Sequence, residues 1–173
     1  MTHLTTTLEK FDSNLWGYHF PVPENIGKEF NQGNNRRVIC KINDHFSMQC
    51  ALMPYSDGFF ILINQDLVKK LGLSIHTKVL LNIEKDHSEY GHQVPESFSI
   101  LLDQDPEGSQ YFEQLSPGKK RSLIYLVSKV KNVDSQLNKG LAILHHLKEQ
   151  AGILDFKKLN QLIKVYNQRS KMK

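Results

Sequence analysis

Four side chains of the kinds that hold metal ions crowd one short stretch: Asp86, His87, Glu89 and His92. Imidazoles and carboxylates together can supply a metal's ligands. Their spacing argues otherwise: no two fall where a strand or a helix would direct both at one ion, so the stretch reads as a solvated loop. His145 and His146 are adjacent. On a helix they point about 100° apart and cannot both serve one ion from it. Ser88 beside His87 lacks the strained glycine elbow of a hydrolase. Gly72 and Gly91 stand alone, so the chain has neither a P-loop nor a dinucleotide fingerprint. These residues assign no metal, no cofactor and no catalytic residue, and an enzyme ranks behind a binding protein.

Tyr90 next to Gly91 is the pair of most interest. A Tyr beside a Gly can line a cleft between two parts of a chain. It can equally be the packing pin that docks them, and the pin is the reading preferred here.

A second group is cationic. Ser116-Pro-Gly-Lys-Lys-Arg121 puts Lys119, Lys120 and Arg121 at a helix start, where the dipole disfavours them. With Lys129 and Lys131 they form a candidate anion patch. Residues 1–92 hold 9 Lys and Arg against 10 Asp and Glu, and residues 93–173 hold 13 against 8. Such asymmetry can mark a nucleic acid or another anionic surface. A surplus this small also fits an ordinary solvated helical face. Tyr125 is the one aromatic residue in this stretch, which disfavours stacking on single strands. Weak, sequence-blind contact with an anionic partner is the most that the patch supports.

The elements that position these groups change character across Lys85–Glu96. Before it the apolar pattern has the short period of strands, and after it the longer period of helices. Residues 4–11 read as a strand, residues 12–15 as a turn, and residues 16–22 as a second short strand stopped by prolines. Residues 23–30 read as a helical turn and residues 31–35 as a loop. Arg36–Ile42 and Phe46–Met53 flank Asn43-Asp44-His45. A three-residue loop pairs Ile42 with Phe46 and puts Val38, Cys40, Ile42, Phe46, Met48, Cys50 and Leu52 on one face. A two-residue turn would scatter them, so burial selects the longer loop. It would place His45 near the left-handed region. Cys40 and Cys50 become diagonal neighbours, about 7–8 Å apart, farther than a disulfide normally spans. Both are expected to be reduced core residues.

Residues 59–63 form a continuous apolar strand, expected to be covered on both faces. Asn64 caps a short helix that ends before Gly72, and residues 77–84 form the last strand. About six strands with two helical turns between them predict a closed barrel. After the junction, Pro95 near N1 and Glu96 open a helix to Leu102. Asp105-Pro106 and Ser116-Pro117 cap the next two, the second running to about Asn132 with a stripe of Leu123, Ile124, Val127 and Val130. Asp134 caps a helix with Leu137, Leu141, Leu144 and Leu147 inward. Asp155 caps the last, which carries Leu159, Leu162, Ile163 and Tyr166. The expected fold class is therefore α+β, with a β-barrel domain at 1–92 and a helical region at 93–173.

No apolar run approaches the length of a membrane span, and residues 1–8 lack the features of a signal peptide. With the reduced cysteines, these features predict a cytoplasmic protein without membrane insertion.

Asp86-His-Ser-Glu-Tyr-Gly-His-Gln-Val-Pro-Glu96, then Leu101-Leu102-Asp-Gln-Asp-Pro106 and Phe112-Glu-Gln-Leu115-Ser-Pro117, resemble the bacterial YdeI/OmpD-associated family, also called bacteriocin-protection. The resemblance is to the form in which a β-barrel domain of unknown function comes first. Val22-Pro-Glu24, Arg37-Val38 with Ile42-Asn43, Asp57-Gly58 and Leu71-Gly-Leu73 carry it through the barrel half. It covers roughly residues 4–147. It implies a six-stranded double-split barrel followed by packed helices. Lys131 matches a family lysine and joins Tyr90 and Gly91 as a candidate cleft residue. Ser135-Gln136 stand where Thr-Arg is usual, and His76 where a turn glycine is usual. The resemblance implies a non-catalytic binding or stress- and bacteriocin-protection protein with an unidentified ligand or protein partner. The alternative is a nucleic-acid-binding regulator, by analogy with the AbrB-like barrel.

Overall fold

A computed structural model describes residues 1–12, 17–31 and 35–171. They fall into two compact units, Met1–His87 and Ser88–Lys173. The turn expected at residues 12–15 and the loop at 31–35 lie largely outside the described residues.

The first unit is a nearly closed antiparallel barrel-like sheet. Its strands are β1 Thr2–Thr7, β2 Glu9–Lys10, β3 Tyr18–Pro23, β4 Arg37–Ile42, β5 Phe46–Tyr55, β6 Gly58–Leu62 and β7 Lys78–Lys85, in the order β1-β7-β4-β5-β6-β3-β2. The sequence reading has one strand over residues 4–11, and the structure has two. β1 pairs with β7 and β2 with β3, on opposite edges of the sheet. Leu8, fully buried, is the pivot. Its N–H and C=O bond to Thr77 and His76, and the chain beyond it leaves β7 for β3. β5 makes the corresponding turn in the sheet's middle. Its first half pairs with β4 through Ala51, and its second half pairs with β6 from Leu52 onward. The two edges meet where the Thr6 hydroxyl donates to the Pro21 carbonyl at 2.8 Å.

One residue in two along each strand points inward, and Leu81, Ile83, Cys40, Ile42, Leu52, Ile61 and Phe20 fill the interior. Phe60 and Ile61 are both buried although they face opposite ways, as expected for a strand covered on both faces. Helix α1, Glu24–Phe30, packs Phe30 into the core. The Lys85 ammonium donates to the Phe30 carbonyl at 2.7 Å, at the helix end where a cation is favourable. Helix α2, Gln65–Lys70, is capped by Asn64, whose Oδ1 accepts from the Leu67 N–H at 2.7 Å.

The hairpin has the three-residue loop. Ile42 pairs with Phe46, Cys40 with Met48 and Val38 with Cys50. The left-handed residues are Asn43 (φ 47°) and Asp44 (φ 59°), not His45. Asn and Asp tolerate that region better than other non-glycine types, and the loop needs two such positions before the strand resumes. His76, where the family has glycine, adopts φ 68°.

Both cysteines are free. The hydrogen bond with Cys40, then burial, hold the Cys50 thiol well above its ordinary range. A thiol is a nucleophile only as thiolate. Cys50 is therefore expected to resist a thiol reagent in the native protein at neutral pH, Cys40 is shielded from it by burial, and both should react once unfolded without any reductant. Fewer than two free thiols in denaturant would contradict this register.

The second unit is helical: α3 Glu96–Gln104, α4 Pro106–Glu113, α5 Pro117–Ser128, α6 Val133–Glu149 and α7 Phe156–Lys171. Pro95 is the N-cap residue of α3 rather than its first helical residue. Asp105 caps α4, accepting from the Gly108 N–H at 2.9 Å, and Ser116 caps α5. Helix α5 stops at Ser128, so Val130 lies beyond it. The cap of α6 is Asn132, which accepts from the Ser135 N–H at 2.9 Å, and Asp134 takes the favourable first turn instead. Leu144 and Leu147 face inward as expected, whereas Leu141 is 40% exposed. Helix α6 packs against α3, α4, α5 and α7. Its buried face is accordingly wide, taking in Gly140, Ala142, Ile143 and His146, and it leaves Leu141 as the outward strip. Among the described residues no helix is long and apolar enough to cross a membrane.

Candidate functional site

Tyr90 belongs to the helical unit and is held there by three partners. Its ring meets Phe112 edge-on at 5.8 Å. Its hydroxyl donates to Glu113 Oε1 at 2.7 Å. The Lys120 ammonium lies 5.7 Å from the Tyr90 ring and 5.9 Å from the Phe112 ring. The same ammonium pairs with Glu113 Oε2. Phenol, carboxylate and ammonium thus form one connected row. Capping produces it: Pro106 starts α4 so that Phe112 points into the core while Glu113 stays at the surface, and Ser116-Pro117 restarts the chain as α5, bringing Lys120 back over them.

The surroundings fix the protonation states of Tyr90 and Glu113. Burial, then the hydrogen bond to the Glu113 carboxylate, push the Tyr90 phenol well above its ordinary range, so it stays a donor. Burial alone would raise Glu113. The hydrogen bonds from Lys120 and Tyr90 outweigh it and leave the carboxyl below its ordinary range, so it stays ionised.

Tyr90 and Glu113 line a cleft of about 440 Å³ with Glu89, His92, Leu102 and Asp103 among its other walls. Every lining residue lies in the helical unit. Gly91 is buried at φ 66° and sets the direction of the chain between Tyr90 and His92. Lys131 is exposed and does not line the cleft. A second concavity, about 430 Å³, lies at the barrel seam where β1, β3 and the β5–β6 turn meet, with Leu4, Thr6, Pro21, Tyr55 and Phe59 among its walls.

The other singled-out residues are dispersed. Asp86 is buried at the end of the barrel unit and accepts from the Gln49 amide at 3.2 Å. His87 and Glu89 are exposed. Among the described residues no three His, Cys, Asp or Glu side chains come together as a metal site. His146 is buried, with its Nε2 accepting from the Asp155 N–H at 3.1 Å. Gln136, where the family has Arg, accepts from the Ser97 hydroxyl and donates to the Val130 carbonyl, each at 2.8 Å. Lys119 and Lys129 are exposed and Arg121 is half-buried. Lys129 closes α5 about 15 Å from Lys119. Lys120 is the member of the group that the Glu113 pair engages.

Sequence reasoning reached Tyr90 but not Glu113 or its link to Lys120. The two are seven residues apart, a spacing that a continuous helix would bring near one face. The Leu115–Ser116 break hides that signal.

No curated protein and no solved structure matches the chain. Two family models do. Residues 5–83 match "Domain of unknown function (DUF1905)", and residues 92–149 match "Bacteriocin-protection, YdeI or OmpD-Associated". The chain is therefore similar, in order, to the first family over residues 5–83 and to the second over residues 92–149, the arrangement that its sequence resembles.

Proposed function

We propose that this chain is a non-catalytic binding protein of the stress- or bacteriocin-protection kind, with its ligand site at the Tyr90 cleft. The observation that carries the reading is the Tyr90–Glu113–Lys120 row. A general acid or base works best with a pKa near the operating pH. Here the phenol is driven up and the carboxyl down, so both are locked as a donor and an acceptor. Fixed hydrogen-bonding groups on the wall of a small concavity suit recognition of a ligand. The reading carries with it the bacterial, cytoplasmic setting and the double-split class of the barrel.

The test is survival of a bacterial host challenged with bacteriocins and oxidative or acid stress, with and without the protein. Wild type is expected to raise survival, and Tyr90→Phe with Glu113→Gln to lose that gain while expressing and folding normally. A variant as protective as wild type would place the function elsewhere.

A further inference from the structure

We propose that the solvent face of α7 is a docking surface for the phosphate backbone of a nucleic-acid duplex. The charge surplus of the helical half is concentrated in the segment that contains this helix. Residues 93–155 hold seven Lys and Arg against eight Asp and Glu, whereas residues 156–173 hold six cations and no acid. The bacteriocin-protection match ends at residue 149, so α7 lies outside it.

The helix sorts its residues by face. Leu159 and Ile163 are buried and Leu162 and Tyr166 half-buried, all on one side. Lys157, Gln161, Lys164 and Gln168 are exposed. Successive steps of four, three and four residues hold them within a narrow stripe opposite the apolar side. Lys157 and Lys164 are about 10.5 Å apart along the axis. Between them stand amide side chains rather than carboxylates. The nearby acids are committed: Asp155 Oδ1 accepts from the Lys157 and Lys158 N–H groups at 2.8 and 3.1 Å, and Glu149 pairs with His145 at 3.1 Å. The first turn of α7 has no acid and two lysines, and the one carboxylate at the helix start, Asp155, is taken up by the backbone N–H groups it caps.

The partner follows from the chemistry. Lys and Gln are phosphate-contacting side chains, and a straight row of them matches a polymer with closely spaced charges. A membrane surface would need the apolar side of the helix, which is packed inside the unit. Single strands would need aromatic platforms, and none stands on the stripe.

The test is titration of a labelled duplex with the full chain between about 50 and 200 mM salt. Affinity is expected to fall with salt, and Lys157→Gln with Lys164→Gln to reduce the log–log slope by roughly 1.8, about 0.9 per lost contact. Replacing Lys119, Arg121 and Lys129 with Gln should leave the slope unchanged. Absence of duplex binding at low salt, an unchanged slope in the α7 variant, or loss only in the α5 variant would each overturn the proposal. So would tighter binding to phosphatidylserine vesicles than to duplex. The outcome is independent of the cleft reading, because none of these residues lines the cleft.

Discussion

Phe112→Ala is expected to cost about 3–5 kcal/mol of folding stability. Phe112 is fully buried among α3, α5 and α6 residues. Its ring meets Phe98 edge-on at 5.5 Å and Tyr90 at 5.8 Å. Truncation leaves a ring-sized cavity that helices joined by short turns cannot close. It also removes the surface on which Tyr90 and the Lys120 stem rest, so the row at the cleft loses its support. Equilibrium urea unfolding followed by far-ultraviolet circular dichroism checks it. A loss below about 1 kcal/mol would mean that the three-ring cluster is not the core of this unit.

Gly91→Val is the second large effect. At φ 66° a β-branched side chain pays for a left-handed backbone, about 1–2 kcal/mol. Gly91 is also buried, so the added methyls overpack their surroundings at a further cost of about 1–3 kcal/mol. The strain falls on the residue next to Tyr90, so the Tyr90–Glu113 bond should weaken too. Gly118→Ala is the control. A Cβ there meets nothing within 4 Å, and in the first turn of α5 the change should be neutral or slightly stabilising. Wild-type unfolding of Gly91→Val would show that the junction is only a connector.

Much of the fold was legible because local chemistry decided it. The hairpin register follows from burying Cys40, Ile42 and Leu52 on one face, and the caps at Asn64, Asp105 and Ser116 follow from residue type. What was not legible depends on other parts of the chain. Nothing in residues 4–11 announces that Leu8 passes the chain from one sheet edge to the other; that is set by its bonds to residues 76 and 77. Leu141 looks like a stripe residue until four helices surround α6 and turn its wide face inward. Asn132 and Asp134 both suit a cap, and the turn after α5 selects the first. The candidate site was half legible. Tyr90-Gly91 stood out as a pair, but Glu113 and Lys120 lie on two helices that a proline restart brings together. The charge surplus was seen in the sequence, and counting it by segment puts its largest share in residues 156–173.

The most direct test of the cleft is the amide NMR spectrum of the full chain, titrated with the small-molecule fraction of a bacterial extract. The account predicts shifts confined to Ser88, Glu89, Tyr90, His92, Ser109 and Glu113, and their disappearance in Tyr90→Phe. Shifts clustered at the barrel seam around Thr6 and Pro21, or a spectrum that does not respond, would contradict it.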